Sequence, residues 1–214
     1  SYYNVAERAK GGWAGWSDPN DWVGERVSSE GVPQIMACCV TGGEGLYLVW
    51  SNIVTKDDDG VWVNLALNRA TKWIDVNSHN PYEGKLEITV KDAPKLFIRV
   101  PDWADKGSVE VNVDDDVQTI SWRGDYLQLD GLQKGQNVTV TYPLREITET
   151  IVLIPEKGTA LDADAYTITW KGDTIIGISP KGRYYPLYER EFYRIDKAPM
   201  RRIIYNCPEN EIHW

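Results

Sequence analysis

Phenylalanine, methionine and histidine are nearly missing from this chain, with two of each, and there are only three cysteines. Each scarcity removes an explanation. The two histidines, His79 and His213, have no ligand spacing to the cysteines, and no Ser-His-Asp set is visible. An odd count of three cysteines does not build a small secreted disulfide scaffold. No apolar run reaches the ~20 residues of a membrane-spanning helix, and the N-terminus lacks the basic-then-apolar layout of a signal peptide. No basic stripe is present either. The net charge is −9, from 23 Lys and Arg against 32 Asp and Glu, which argues against a nucleic-acid partner. Gly42-Gly43-Glu-Gly45 is glycine-rich but follows no strand, so it is a weak phosphate-loop signal. The expectation is a soluble protein without a membrane partner, of bacterial cytoplasmic or periplasmic/secreted type.

What is abundant is Trp and Tyr, at 10 and 12. Both rings combine a flat apolar face with a polar tip, which suits sugar-stacking surfaces and also the core and interface of a β-sandwich. At 214 residues, 42% of them hydrophobic and 26% charged, the chain can bury a real core as one large domain or two small ones. It opens Ser1-Tyr-Tyr-Asn, which reads like the middle of a longer polypeptide and suggests a fragment or a processed chain.

Residues 1–35 show little periodicity. Their stretch Gly11-Gly-Trp-Ala-Gly-Trp-Ser-Asp-Pro-Asn-Asp-Trp22 is too aromatic for a disordered linker and is expected to pack against something. Residues 44–54 read as a helix, since Leu46, Val49, Trp50 and Ile53 fall at i, i+3, i+4 and i+7. Thr41 and the two glycines offer its cap. From residue 61 the period becomes two. Val61, Val63, Leu65 and Leu67 alternate with Trp62, Asn64 and Ala66. The same alternation recurs at 86–90, 96–100, 109–113, 126–129 and 138–142, then at 147–154, 166–170 and 174–178. Turn signals at Asp59-Gly60, Asp92-Ala-Pro94, Arg123-Gly-Asp125 and Lys134-Gly135 separate several of these runs. Short strands at this spacing predict a mainly β protein, an antiparallel β-sandwich rather than a parallel α/β sheet. The runs Asp57-Asp-Asp59 and Asp114-Asp-Asp116 read as solvated turn tips, with calcium ligation the alternative. Asn137-Val-Thr139 fits the glycosylation pattern but lies in a strand pattern and is read as chance. The segment from Arg183 to Arg194 alternates charge with aromatics, as an interface or a final strand would. Cys207 reads as an isolated buried thiol.

The segment Met36-Ala-Cys-Cys-Val-Thr-Gly-Gly43 holds most of the functional information. Consecutive Cα atoms lie ~3.8 Å apart, whereas an unstrained disulfide wants ~4.4–6.8 Å. Cys38 and Cys39 are therefore expected to do something other than staple the chain: metal ligation, redox work, nucleophilic attack, or simply filling a buried position. Placed just ahead of a helix, a thiol meets the positive end of the helix dipole and ionises more easily. A zinc ion would need about four ligands, so a complete site within this chain is not expected. Glycosidase chemistry often pairs two carboxylates across a sugar. Asp18, Asp21, Glu25, Glu30 and Glu44 are those nearest the cysteines, and each reads as a loop or cap residue.

Several motifs together carry a family resemblance. The Trp-rich stretch 11–22, Ala37-Cys-Cys39, Gly45-Leu-Tyr-Leu-Val-Trp50 and Val63-Asn-Leu65 resemble the β-L-arabinofuranosidase-type glycoside hydrolases, family 127 and its relatives, formerly a domain of unknown function. Asn68-Arg-Ala, Asp75-Val, Pro81-Tyr-Glu-Gly84, Arg99-Val-Pro-Asp-Trp103 and Pro186-Leu-Tyr-Glu-Arg190 fit the same group. The resemblance implies an (α/α)6 barrel carrying the active site, followed by a jelly-roll-like β-sandwich. Residues 1–54 would be the loop-and-helix end of that barrel. Residues 55–214 would be the sandwich region, with a division into two sub-sheets near 145–160. By the same resemblance Cys38 is the nucleophile, and Cys38 and Cys39 ligate a zinc ion completed by an upstream cysteine and glutamate. Those ligands and the acid/base glutamate are not in this chain, so no zinc and no turnover are expected of it alone. Many relatives carry Asn and Arg where Gly42 and Gly45 stand here.

The expected partners are a carbohydrate and the missing N-terminal barrel. A homodimer formed through the apolar surface left by the barrel is a further expectation. Two readings compete with the hydrolase: a non-catalytic sandwich that binds carbohydrate or braces a barrel, and a redox- or metal-sensing thiol pair.

Overall fold

A computed structural model describes residues 38–153, 164–180 and 190–201. The chain divides into two compact units: Val49–Arg145 with Ile195–Trp214, and Ser1–Leu48 with Glu146–Arg194.

The first unit is a sandwich. One sheet runs in the order β1 (Val54–Lys56), β2 (Val61–Val63), β6 (Lys95–Arg99), β10 (Tyr126–Asp130), β9 (Ser121–Arg123). The other runs β3 (Arg69–Ala70), β4 (Ile74–Ser78), β5 (Lys85–Val90), β11 (Asn137–Thr141), β7 (Glu110–Val113), β8 (Asp116–Val117). The pairings are antiparallel except β2 with β6, which is parallel with Val61 opposite Leu96 and Val63 opposite Ile98. Period-two alternation fixes which side chains turn inward. Val61, Val63, Leu96, Ile98, Leu127 and Leu129 come from the first sheet. Ile74, Val76, Leu86, Ile88, Val90, Val111, Val138 and Val140 come from the second. They meet in a single buried cluster. The expected mainly β fold with antiparallel sheets is thus observed.

Element ends depart from the expectations for identifiable reasons. The strand expected over 61–67 is shorter, Val61–Val63; one residue on, the Asn64 N–H still donates to the Ile53 carbonyl at 2.8 Å, in step with Val63 opposite Val54. The helix expected over 44–54 is α1, Cys38–Ser51. Its last turn tightens through i→i+3 bonds, from Asn52 N–H to the Val49 carbonyl and from Ile53 N–H to the Trp50 carbonyl. Ile53 then drops into the sandwich core and Val54 begins β1. Between β7 and β8, Asp114 and Asp115 adopt successive positive φ angles of 50° and 72°, the backbone of a two-residue hairpin turn.

In the second unit, β12 (Glu146–Leu153), β13 (Asp164–Lys171) and β14 (Thr174–Ser179) form an antiparallel three-stranded sheet. Tyr166, Ile168 and Ile178 make its buried cluster, with Trp170 and Ile175 packed against it. The Trp170 indole N–H donates to Glu149 at 2.7 Å, and Arg194 pairs with Glu146 at 2.8 Å.

Candidate functional site

Cys38 and Cys39 open α1 and lie within the helix, not ahead of it. Their side chains, with residues 1–37, fall outside what the structure describes, as do Cys207 and His213. The first turn of a helix remains the place where the dipole favours a thiolate. The pair offers two of the roughly four thiolate or imidazole donors a zinc ion takes. Among the described residues, no group of three or more His, Cys, Asp and Glu is arranged to hold a metal.

The body of the helix is unusual. Leu46, Tyr47, Leu48, Val49 and Trp50 are each 45–55% exposed. Successive helical residues point about 100° apart, so five apolar residues in a row cover every side. Helices that are apolar all round are normally buried. A Cβ at Gly45 would meet no atom within 4 Å.

The C-terminal end of the helix is tied down. The Asn64 side-chain amide donates to the Asn52 carbonyl at 2.9 Å and to Thr55 Oγ1 at 3.0 Å, and it accepts from the Tyr126 hydroxyl at 2.9 Å. The Arg69 guanidinium carbon stands 3.3 Å from the centroid of the Trp50 ring. The Val63-Asn-Leu65 and Asn68-Arg-Ala motifs thus supply parts of a clamp. Asn68 adds an acceptor for the Ser78 N–H at 2.6 Å.

The other motifs within the described residues also serve the scaffold. Asp75 pairs with Lys91 at 2.6 Å. Arg99 pairs with Asp102 at 3.2 Å, and Trp103 packs edge-on against Tyr142. Pro186-Leu-Tyr-Glu falls outside the described residues. His79 is buried, with its Nδ1 3.6 Å from Glu83 and its Nε2 3.1 Å from Glu87. Glu83 also accepts the Ala198 N–H at 3.1 Å, fixing the 195–201 segment to the sandwich. Lys85 beside Glu87 holds that carboxyl below the usual range, with a smaller contribution from His79.

The acidic runs act as turn tips. Asp57 Oδ1 accepts from the Trp62 indole at 2.8 Å and from the N–H groups of Asp59 and Gly60. The Trp62 bond is the main reason its carboxyl titrates low. Asp59 pairs with Arg123 at 2.8 Å, and Asp114 accepts the Asn137 N–H at 2.8 Å.

Trp62 and Tyr126, on strands of the sandwich, are used internally. Trp62 stacks on the buried Phe97 with centroids 3.9 Å apart and planes 14° apart, and Tyr126 meets it edge-on at 5.0 Å. Among the described residues of the sandwich strands, no Trp or Tyr is among the exposed large hydrophobics.

No protein-family model matches the chain, and no curated protein matches it in sequence. Solved structures do. One described only as a glycoside hydrolase is 16% identical with a TM-score of 0.50, over 75% of this chain and 27% of that one. A GH127 β-L-arabinofuranosidase from Geobacillus stearothermophilus T6, Ara127N-Se, is 19% identical with a TM-score of 0.47, over 65% and 23%. A GH127 β-arabinofuranosidase, BT3674, is 15% identical with a TM-score of 0.41, over 57% and 23%. The likeness at 0.50 shows a shared fold, in keeping with the mainly β, antiparallel architecture described above. The chain spans about a quarter of the length of these structures. Among the described residues, no helix is long and apolar enough to cross a membrane.

Proposed function

We propose that this chain is the β-sandwich part of a glycoside hydrolase acting on L-arabinofuranosides or related furanose sugars. Residues 1–54 then close an upstream (α/α)6 barrel, and the remainder is the sandwich region. One observation carries the reading: the cysteine pair opens a helix that is apolar on every side, which calls for other helices packed around it. Motif resemblance and shared fold support it.

In this reading the Cys38 thiolate attacks the anomeric carbon. A C–S bond forms as the glycosidic C–O bond breaks, and an upstream glutamate protonates the departing oxygen. Water then cleaves the C–S bond, with the same glutamate taking its proton, and the configuration is retained. Cys38 and Cys39 would supply two ligands of a zinc ion, whose charge keeps thiols ionised. The remaining ligands and the acid/base come from the upstream part, so the isolated chain is inactive.

The test uses the full-length protein and an aryl β-L-arabinofuranoside. Cys38→Ala should lose at least ~10³-fold in kcat, in line with removal of a nucleophile. A mechanism-based reagent should add one glycosyl mass to the Cys38 peptide. Turnover near wild type in Cys38→Ala would remove the thiol mechanism. A bracing sandwich is the second reading. It is favoured over a sugar-binding one by the internal use of Trp62 and Tyr126.

A further inference from the structure

We propose that His79, Glu83 and Glu87 form a proton-operated clasp on the 195–201 segment. The inference is independent of the proposed hydrolase activity, and every residue in it belongs to the sandwich unit. His79 follows β4 and is buried. A carboxylate stands at each of its ring nitrogens, with Glu83 Oε1 3.6 Å from Nδ1 and Glu87 Oε2 3.1 Å from Nε2. A neutral imidazole has one N–H and one lone pair, whereas an imidazolium donates from both nitrogens. With the ring neutral, one carboxylate therefore always faces a lone pair. Neither nitrogen makes a well-aligned hydrogen bond, and a buried polar atom left in that state is costly. A second proton on the ring offsets that cost and creates two charge-assisted contacts. A metal ion does not fit in its place. The carboxylates sit at opposite nitrogens of one ring, and among the described residues no group of three donors converges.

The clasp reaches the segment through a single atom. Glu83 Oε1, which faces Nδ1, also accepts the N–H of the buried Ala198 at 3.1 Å. Protonated His79 fixes that oxygen, and the segment is held. With the ring neutral, Glu83 loses its ionic anchor and the segment opens more easily. The surroundings leave the switching to the histidine. On β5, Lys85 pairs with Glu87. Opposite these two, β4 offers Asn77 and β11 offers Thr139 and Thr141, all uncharged. The segment's own charges, Asp196, Lys197 and Arg201, are exposed. Histidine is the side-chain type that changes charge between about pH 5 and 8, so the segment is held more tightly at the acidic end of that range. It carries the exposed Ile195 and Met200, and its release changes the apolar surface that the sandwich presents.

The experiment measures hydrogen–deuterium exchange of a peptide spanning residues 195–201 in the full-length protein, at about pH 5.5 and about pH 7.5. Rates are divided by the intrinsic amide rate at each pH, so that protection alone is compared. Wild type should be at least about threefold more protected at the acidic pH, while a core peptide across β11 changes by less than about twofold. His79→Gln should abolish the difference by removing the proton site. Glu83→Gln should abolish it too, since it removes the charge while keeping an acceptor for the Ala198 N–H. Glu87→Gln should shrink it, because one carboxylate remains. Equal protection at both pH values in wild type would overturn the proposal. So would a difference that survives His79→Gln, or one that appears equally in the β11 peptide. If His79→Gln fails to fold, Glu83→Gln on its half-buried side chain decides in the same way.

Discussion

Gly84 lies so close to the backbone of Tyr142 that a Cβ built on it would come within 1.9 Å of the Tyr142 carbonyl oxygen. The two are also joined by a hydrogen bond from the Tyr142 N–H to the Gly84 carbonyl at 2.8 Å. The glycine of Pro81-Tyr-Glu-Gly84 is therefore explained by a close approach of two backbones. Gly84→Ala should cost about 3 kcal/mol, since neither backbone can move without disturbing the end of β11. Gly45→Ala is the control. With nothing within 4 Å of its Cβ, it should stabilise α1 by up to ~1 kcal/mol. Urea unfolding monitored by circular dichroism measures both, and equal effects would contradict the geometry.

Trp62 covers Phe97 and is held by Asp57, so its loss should register as stability and not as binding. Trp62→Ala is expected to destabilise by about 2–4 kcal/mol, from lost burial and lost stacking. Its affinity for soluble arabinan, measured by calorimetry in the full-length protein, should stay that of wild type. A selective loss of glycan binding with stability intact would restore the outer face of this sheet as a sugar platform.

Asp57 provides a pH signature. Bonding from Trp62 depresses its folded pKa below that of the unfolded chain. Its contribution to stability is therefore present above the ordinary aspartate range and lost as pH falls through the depressed value. Wild type should exceed Asp57→Asn in urea midpoint at neutral pH. The gap should close progressively below about pH 4. A gap that stays constant down to pH 2 would show that the charge is not what the turn uses.

The exposed helix predicts the behaviour of the isolated chain. Apolar residues on all sides of α1 should bind a fluorescent hydrophobic dye and promote self-association. Leu46→Glu with Leu48→Glu should reduce dye binding severalfold while leaving the far-ultraviolet spectrum of the sandwich unchanged. In the proposed full-length enzyme the same double substitution should prevent stable folding of the proposed barrel. Full-length stability unaffected by two charges would mean the helix is not buried there.

Local pattern in the sequence was enough for the strands with strong alternation. Lys85–Val90, Lys95–Arg99, Asn137–Thr141 and Tyr126–Asp130 stand within a residue of where period two puts them. All but Lys95–Arg99, where Phe97 is also buried beneath Trp62, bury one face only, and burial of one face is what writes alternation into a sequence. Asp57-Asp-Asp59 was legible as a turn for a related reason, since short carboxylates cap N–H groups in their own neighbourhood. The adjacent cysteines stood out in the sequence because disulfide geometry disfavours a staple between neighbours.

Other features depended on residues far away in the chain. The two-residue strand at Arg69–Ala70 is too short to have a period, and it exists only because Ile74–Ser78 pairs with it. Asn64 read as one more outward position in a strand. Its carboxamide instead binds Asn52, Thr55 and Tyr126, the last of them 62 residues away. Arg69 read as part of a motif, and only the fold lays it on Trp50. The sequence determined which residues could be buried and where the thiols stand, because hydrophobic period and covalent spacing are local. Only the tertiary structure decided which polar side chains hold the helix, because hydrogen bonds and cation–π contacts are short-ranged in space and carry no signature along the chain.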